Sequence, residues 1–268
     1  MDRKLVWFLA KKPAGWASCI KVAGAMLMKR SEVTVNREGI RLSVRIGNGR
    51  GLFCALAGTE YEAEMRWFLA KMKEGDLFVD VGANIGVYTL HASRRVGVEG
   101  KVISFEPTPE TFSDLQRNVQ SNRCLNVTCE KIALADQIGE ARLVECGRAA
   151  SNRISLLSNT EKGTKISVGT LDDYCQTNRI RKIDFIKVDI EGGEADFFSG
   201  GIKTLKKDKP IILFESAHTG PAYLEREILR GLGYDLYIFN REVLEVVGNE
   251  ASPSGNIVAI PSASKCLV

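Results

Sequence analysis

Asp80-Val81-Gly82-Ala83-Asn84-Ile85-Gly86 is the stretch on which the fold turns. It follows a mostly apolar run, Leu77–Val81, of the kind found in strands buried on both faces. It leads into residues 85–96, whose spacing predicts a helix. Strand, glycine turn and helix in that order open an α/β unit. Outward from it, Val102–Phe105 is a second strand. Thr108-Pro109-Glu110 then supplies an N-cap residue, a first-turn proline and a first-turn acid, and Phe112, Leu115 and Val119 form the inward stripe of the next helix. Val127–Ile132, Ile183–Val188 and Ile211–Phe214 read as the third, fourth and fifth strands, and a helix at 222–231 ends near Gly231-Leu232-Gly233. Tyr234–Phe239 and Ile257–Ile260 close the chain as strands with no long helix between them, which predicts an antiparallel edge hairpin. Residues 140–168 read as strands or loops without definite placement. Upstream, Val33, Val35, Ile40, Leu42, Val44 and Ile46 alternate around Asn36-Arg37-Glu38-Gly39 as a hairpin. Gly47–Gly51 reads as a turn, and Met65, Phe68, Leu69 and Met72 mark a helix over Tyr61–Met72. The expected architecture is a Rossmann-like α/β domain with a mostly parallel sheet covered on both faces. The division reads as residues 1–59, an extension of basic helix and β-hairpin, followed by residues 60–268.

Charge is unevenly placed. Residues 1–30 carry seven Lys or Arg and one acid, so the other 238 residues sum to −2 of the net +4. A near-neutral body argues against a large nucleic-acid footprint. Trp7, Phe8, Trp16, Ile20, Val22 and Met26 lie among those basic residues, a mixture suited either to a helix packed on the domain, the preferred reading, or to peripheral membrane contact. Leu5–Ala10 is too short for a signal peptide, and no apolar run reaches the roughly 18 residues of a membrane span. Seven scattered cysteines without a Cys-x-x-Cys pair, and only two histidines, argue against a zinc site and for a reducing, cytoplasmic setting.

The glycine loop has the chemistry of a nucleotide site. Its Gly-x-x-x-Gly spacing departs from the Gly-x-Gly-x-x-Gly of dinucleotide folds. Asp80, two residues before the first glycine, would repel a pyrophosphate and attract an ammonium. The helix N-terminus beyond suits a carboxylate. Glu106, at the end of the second strand, can accept hydrogen bonds from a ribose diol. A ligand cationic at one end and carrying ribose fits: S-adenosylmethionine. Gly82→Val is expected to abolish its binding by filling the surface that the ligand approaches.

Four segments resemble the FkbM family of class I methyltransferases. They are Phe78-Val79-Asp80-Val81-Gly82-Ala83-Asn84-Ile85-Gly86-Val87-Tyr88-Thr89, Ser104-Phe105-Glu106-Pro107, Thr170-Leu171-Asp172-Asp173, and Ile183-Asp184-Phe185-Ile186-Lys187-Val188-Asp189-Ile190-Glu191-Gly192-Gly193-Glu194. The resemblance covers about residues 60–216. It implies a seven-stranded sheet with an antiparallel last strand, and O-methylation of a small-molecule hydroxyl such as that of a sugar or polyketide. It also implies cofactor contacts from Asp80, Gly82, Asn84, Gly86 and Glu106, with the flanking Ala83, Tyr88, Thr89 and Pro107, and places Ala133 and Asp136 beside the adenine.

Asp189 and Glu215 end the fourth and fifth strands, where ligands of open α/β sheets bind. His218 follows in a Gly/Pro loop. In-line methyl transfer depends on positioning and on a base for the acceptor hydroxyl, for which Asp189 and His218 are the candidates. Lys187 and Asp189, two apart on one strand face, are also suited simply to pair, and Asp189 to support the cofactor. Glu191 and Glu194 suit the start of the next helix. A divalent ion on these acids is conceivable but not favoured. Thr170-x-x-Asp173 has capping spacing, and His91 reads as a packed or surface residue. Two rival functions remain open at this point: RNA 2′-O-methylation through Lys187, Asp189 and Glu215, and a non-catalytic cofactor-binding protein held at a membrane by its arm.

Overall fold

A computed structural model of the chain describes residues 31–46, 49–60, 62–145, 152–155, 163–216, 224–240, 243–248 and 255–267. The basic arm and His218 lie outside the described residues. In chain order, the hairpin strands β1 (Glu32–Arg37) and β2 (Ile40–Arg45) lead to α1 (Gly49–Ala57) and α2 (Ala63–Lys71). The α/β core then runs β3 (Leu77–Val81), α3 (Val87–Val96), β4 (Lys101–Phe105), α4 (Pro109–Ser121), β5 (Val127–Glu130). Four short strands follow, β6 (Ala133–Leu134), β7 (Gly139–Glu145), β8 (Asn152–Ser155) and β9 (Thr164–Gly169), then α5 (Leu171–Thr177). The rest is β10 (Phe185–Val188), α6 (Glu194–Gly200), α7 (Ile202–Asp208), β11 (Ile211–Ser216), α8 (Leu224–Gly231), β12 (Tyr234–Asn240), β13 (Val243–Val246) and β14 (Gly255–Pro261).

The main sheet has the order β5-β4-β3-β10-β11-β14-β12-β13. β5, β4, β3, β10 and β11 are parallel, and β14 runs antiparallel to both of its neighbours. The last strand is therefore antiparallel, as expected, but it does not form an edge hairpin. It inserts between β11 and β12, and β13 adds an eighth strand at the rim. The burial explains the insertion: Ile257, Val258, Ala259 and Ile260 are all buried, whereas Val243 and Val246 on β13 are exposed. The unplaced stretch 140–168 supplies three strands of a second sheet, ordered β6-β9-β7-β8. Gly49 starts a helix where a turn is predicted, because Leu52, Ala55 and Leu56 bury one helical stripe.

Side chains alternate cleanly across the main sheet. Phe78, Val102, Phe185 and Leu213 join one core with the hairpin's Val33, Val35, Ile40, Leu42 and Val44 and with helices α1, α2 and α3. Val79, Val81, Ile103, Ile186, Val188 and Phe214 join a second core with α5–α8. The hairpin's outer edge is covered by side chains of α4. Asn118 accepts from Ser43 N at 2.8 Å and donates to Ser43 O, and Asn122 does the same for Arg41. These amides take the place of a paired strand. Asn118 also donates to Ile85 O at 2.9 Å, tying the hairpin to the glycine loop.

His91, on α3, is packed as expected, with Nε2 3.8 Å from Glu38 and its side chain 10% exposed. Burial pulls its pKa down from 6.5 to about 4, against the raising influence of Glu38. The unfolded chain then binds the proton that the folded chain refuses. Stability falls as pH drops from about 6.5 toward 4, by up to about 3 kcal/mol for that shift. Urea unfolding of His91→Gln across this range is expected to show a shallower acid slope than the parent; an unchanged slope removes His91 as the cause.

Candidate active site

Strand order reverses between β3 and β10, with β4 on one side and β11 on the other. Open α/β sheets hold ligands beyond the strand ends at such a point. Here the Gly82–Gly86 loop is fixed from both sides. Gly82 N and Ala83 N donate to Phe105 O, and Asp189 N donates to Val81 O, each at 3.0 Å. Gly82, Asn84 and Gly86 all have positive φ (78°, 51° and 93°). Gly82 is required by packing: a Cβ there would stand 2.1 Å from the backbone oxygen of Asp189. Glu106 holds the loop from β4, accepting from Asn84 N at 3.0 Å through Oε2 and from Thr108 N at 2.9 Å through Oε1. Burial raises its pKa, and those N–H groups oppose the rise.

Register explains the charges below the loop. Ser104 on β4, Asp80 on β3 and Lys187 on β10 stand in one row across the sheet, all on the face covered by α1–α3. Thr89 Oγ1 donates to Asp80 Oδ2 at 2.6 Å and lies 2.8 Å from Ser104 Oγ. Thr89 is fully buried, so it steadies Asp80 instead of facing a ligand. Lys187 Nζ lies 3.2 Å from Asp189 Oδ2, the pairing that their spacing suggests, and 4.9 Å from the Tyr88 ring centroid. Burial opposes the ammonium, but Asp189, Asp80 and Glu62 outweigh it and hold the Lys187 pKa above its ordinary value. Burial likewise raises Asp80, with Lys187 opposing.

A cleft opens above this row, lined by the loop residues Gly82–Ile85, by Val87, Tyr88, Lys187 and Asp189, and by Gly51, Cys54 and Glu62. The last three come from before the sheet, and no motif in the sequence points to them. Two buried oxygens here, Asp80 Oδ1 and Asn84 Oδ1, have no hydrogen-bond partner among the described residues. The N-cap of α3 is Gly86, which has no side chain to cap the helix, and Asp80 accepts a backbone hydrogen bond from Thr89 in the first turn. An unmatched Asn84 oxygen in the cleft wall beside the N-terminus of α3 fits the methionine end of S-adenosylmethionine.

Other candidate residues are dispersed. Pro107 is half-buried beside Glu106. Ala133 packs into the apolar cluster of the second sheet, and Asp136 is exposed and acts on Asp196 of α6; neither lines the cleft. Glu194 accepts from Ile190 N and Gly192 N, holding the β10–α6 turn, and Thr170 caps α5 by accepting from Asp173 N. Carboxylate oxygens of Asp189, Glu191 and Glu215 lie within 4.8 Å of one another, an oxygen-donor grouping that crowds the exit of β10 and β11. Among the described residues no helix is long and apolar enough to cross a membrane.

Comparison with known proteins adds relationships to this geometry. The family described as Methyltransferase FkbM domain matches residues 80–236. "Methyltransferase 1" of Beauveria bassiana is 24% identical over 152 residues, 49% of this chain and 61% of its own length. "Hexuronic acid methyltransferase AglP" of Haloferax volcanii is 26% identical over 186 residues, 69% of this chain and 74% of its own. A solved FkbM methyltransferase from Methylobacillus flagellatus superposes with a TM-score of 0.47 at 16% identity, covering 78% of this chain and 52% of that one.

Proposed function

The chain belongs to the FkbM methyltransferase family, and on that premise we propose that it is an S-adenosylmethionine-dependent O-methyltransferase acting on a hydroxyl of a small molecule, with sugar acids the first class to test. The observation that carries the reading is the cleft at the β3/β10 reversal, walled by the glycine loop, in which the buried Asn84 Oδ1 lacks a hydrogen-bond partner among the described residues. The hexuronic acid relative supports the acceptor class. Bound S-adenosylmethionine supplies an electrophilic methyl group; the rest falls to this chain. The α3 N-terminus receives the carboxylate of the methionine moiety. Glu106 keeps lone pairs for a ribose diol while bracing Asn84 N. Asp189 lines the cleft and takes the acceptor's hydroxyl proton, which contributes typically ~10²–10⁴-fold to the rate. Lys187, ion-paired to it, fixes the carboxylate's orientation.

Purified protein incubated with S-adenosylmethionine and a panel of hexuronic acids, neutral sugars and phenols is expected to release S-adenosylhomocysteine with a sugar acid. Absence of product from every acceptor, together with absence of binding heat, overturns the reading. Asp189→Asn is expected to lower turnover at least about tenfold while leaving S-adenosylhomocysteine affinity nearly unchanged. Equal losses in both reassign Asp189 to cofactor support.

A further inference from the structure

Glu62 lies outside the family's matched segment, residues 80–236, yet its side chain reaches the same cleft as the glycine loop. It immediately precedes α2, whose N-terminus it occupies without capping it. Its Oε2 instead accepts from Tyr88 Oη at 2.5 Å, and Tyr88 belongs to the first turn of α3. Glu62 is therefore held in the cleft that the glycine loop and the first turn of α3 also line. Asp80, the acid that the sequence singles out, sits 1% exposed beneath the loop with Oδ2 taken by Thr89. It is not part of the cleft wall, whereas Glu62 and Asp189 are. Asp189 is ion-paired with Lys187, and Tyr88, Glu62's partner, is neutral. Three carboxyl groups (Glu62, Asp80, Asp189) thus act on one ammonium, and among the described residues only Asp189 is within ion-pair distance of it.

We propose that Glu62 is a cofactor-binding residue that receives the α-ammonium of the methionine moiety, with Tyr88 aiming its carboxylate. This rests on the reading of the chain as an S-adenosylmethionine-binding enzyme and adds to it a contact from outside the family's core segment. The α-ammonium and the carboxylate that α3 takes share one carbon, so a carboxylate lining the same cleft as the first turn of α3 is placed for it. The geometry also assigns Asp80 a supporting part, offsetting Lys187 from below.

Calorimetry with three ligands tests the proposal: S-adenosylmethionine, S-adenosylhomocysteine and 5′-methylthioadenosine, which keeps the adenosine and sulfur but lacks the amino-acid end. Glu62→Gln is expected to weaken the first two by a similar factor, about tenfold or more for loss of a charge-assisted hydrogen bond, and to leave 5′-methylthioadenosine within about twofold. Tyr88→Phe keeps the carboxylate and the ring, and is expected to show the same pattern with a smaller loss; it carries the test if Glu62→Gln fails to fold. Equal weakening of all three ligands shows a collapsed loop and overturns the assignment, as does unchanged affinity for all three. Weakening of S-adenosylmethionine alone moves the contact to the sulfonium and overturns the α-ammonium assignment. If the parent protein binds none of the three, the methyltransferase reading itself fails, and this inference falls with it.

Discussion

Gly82→Val is expected to leave no measurable binding of S-adenosylhomocysteine and to lower the unfolding free energy by at least about 3 kcal/mol. The sequence suggests that a side chain here would fill the surface approached by the ligand. The structure gives a different cause. A Cβ on Gly82 would lie 2.1 Å from Asp189 O and 3.1 Å from Ile190 Cγ2, so the added atoms drive the β3 loop away from the β10 turn. The residue also sits at φ 78°, where a side chain costs about 1–2 kcal/mol and a β-branched one more. Backbone oxygen cannot rotate aside as a long side chain can, and Asp189 N is itself bound to Val81 O. Relief therefore requires opening the β3/β10 junction, which carries the loop, Asp189 and Lys187 together. Gly75→Ala is the matching control. Its φ is 89°, but nothing lies within 4 Å of its would-be Cβ. It should lose only the conformational term, about 1 kcal/mol, and bind normally. Urea unfolding and calorimetry on both variants decide the matter: binding by Gly82→Val, or an equal loss in Gly75→Ala, defeats the steric account.

The parts of the fold that depend on local pattern were legible. Leu77–Val81 is mostly apolar because helices cover both faces of the sheet, and the glycine loop after it declares a ligand turn by its own residues. Glu106 is visible for the same reason, since it ends the next strand. What depends on register was not. Nothing in the sequence says that Lys187 stands beside Asp80 across β3/β10, and that adjacency explains why the lysine is tolerated under 7% exposure. Glu62 was invisible because it reaches the cleft through Tyr88 and belongs to no motif. The insertion of β14 did leave a signal. Ile257–Ile260 is a continuous apolar run, which suits a strand covered on both faces better than the rim that hairpin connectivity suggests. Val243 and Val246, exposed on β13, are the residues of the true edge.

Lys187→Met is expected to destabilise the protein by about 3–5 kcal/mol near neutral pH, the range for removing one partner from a buried charge group. The side chain is nearly buried and its ammonium faces Asp189, Asp80 and Glu62. Methionine matches the stem's length and can keep the contact with Tyr88, so the loss is mainly electrostatic. The pH dependence distinguishes this cause from a packing defect. Glu62 and Asp80 already lie above their ordinary values of 4.5 and 3.8 because burial penalises their charged forms, with Lys187 the largest opposing influence. Without the ammonium both rise further. A carboxyl raised in the folded state binds a proton that the unfolded chain has released, so its cost is absent below the unfolded pKa. That cost then grows until pH passes the folded pKa. The deficit of Lys187→Met relative to the parent should therefore be smallest below the ordinary carboxyl values of 4.5 and 3.8 and grow as pH rises above them. His91 titrates in both proteins and cancels in the difference. Denaturation midpoints measured on both sides of those values are the check. A deficit independent of pH points to packing alone, and one that shrinks as pH rises contradicts the charge row beneath the loop.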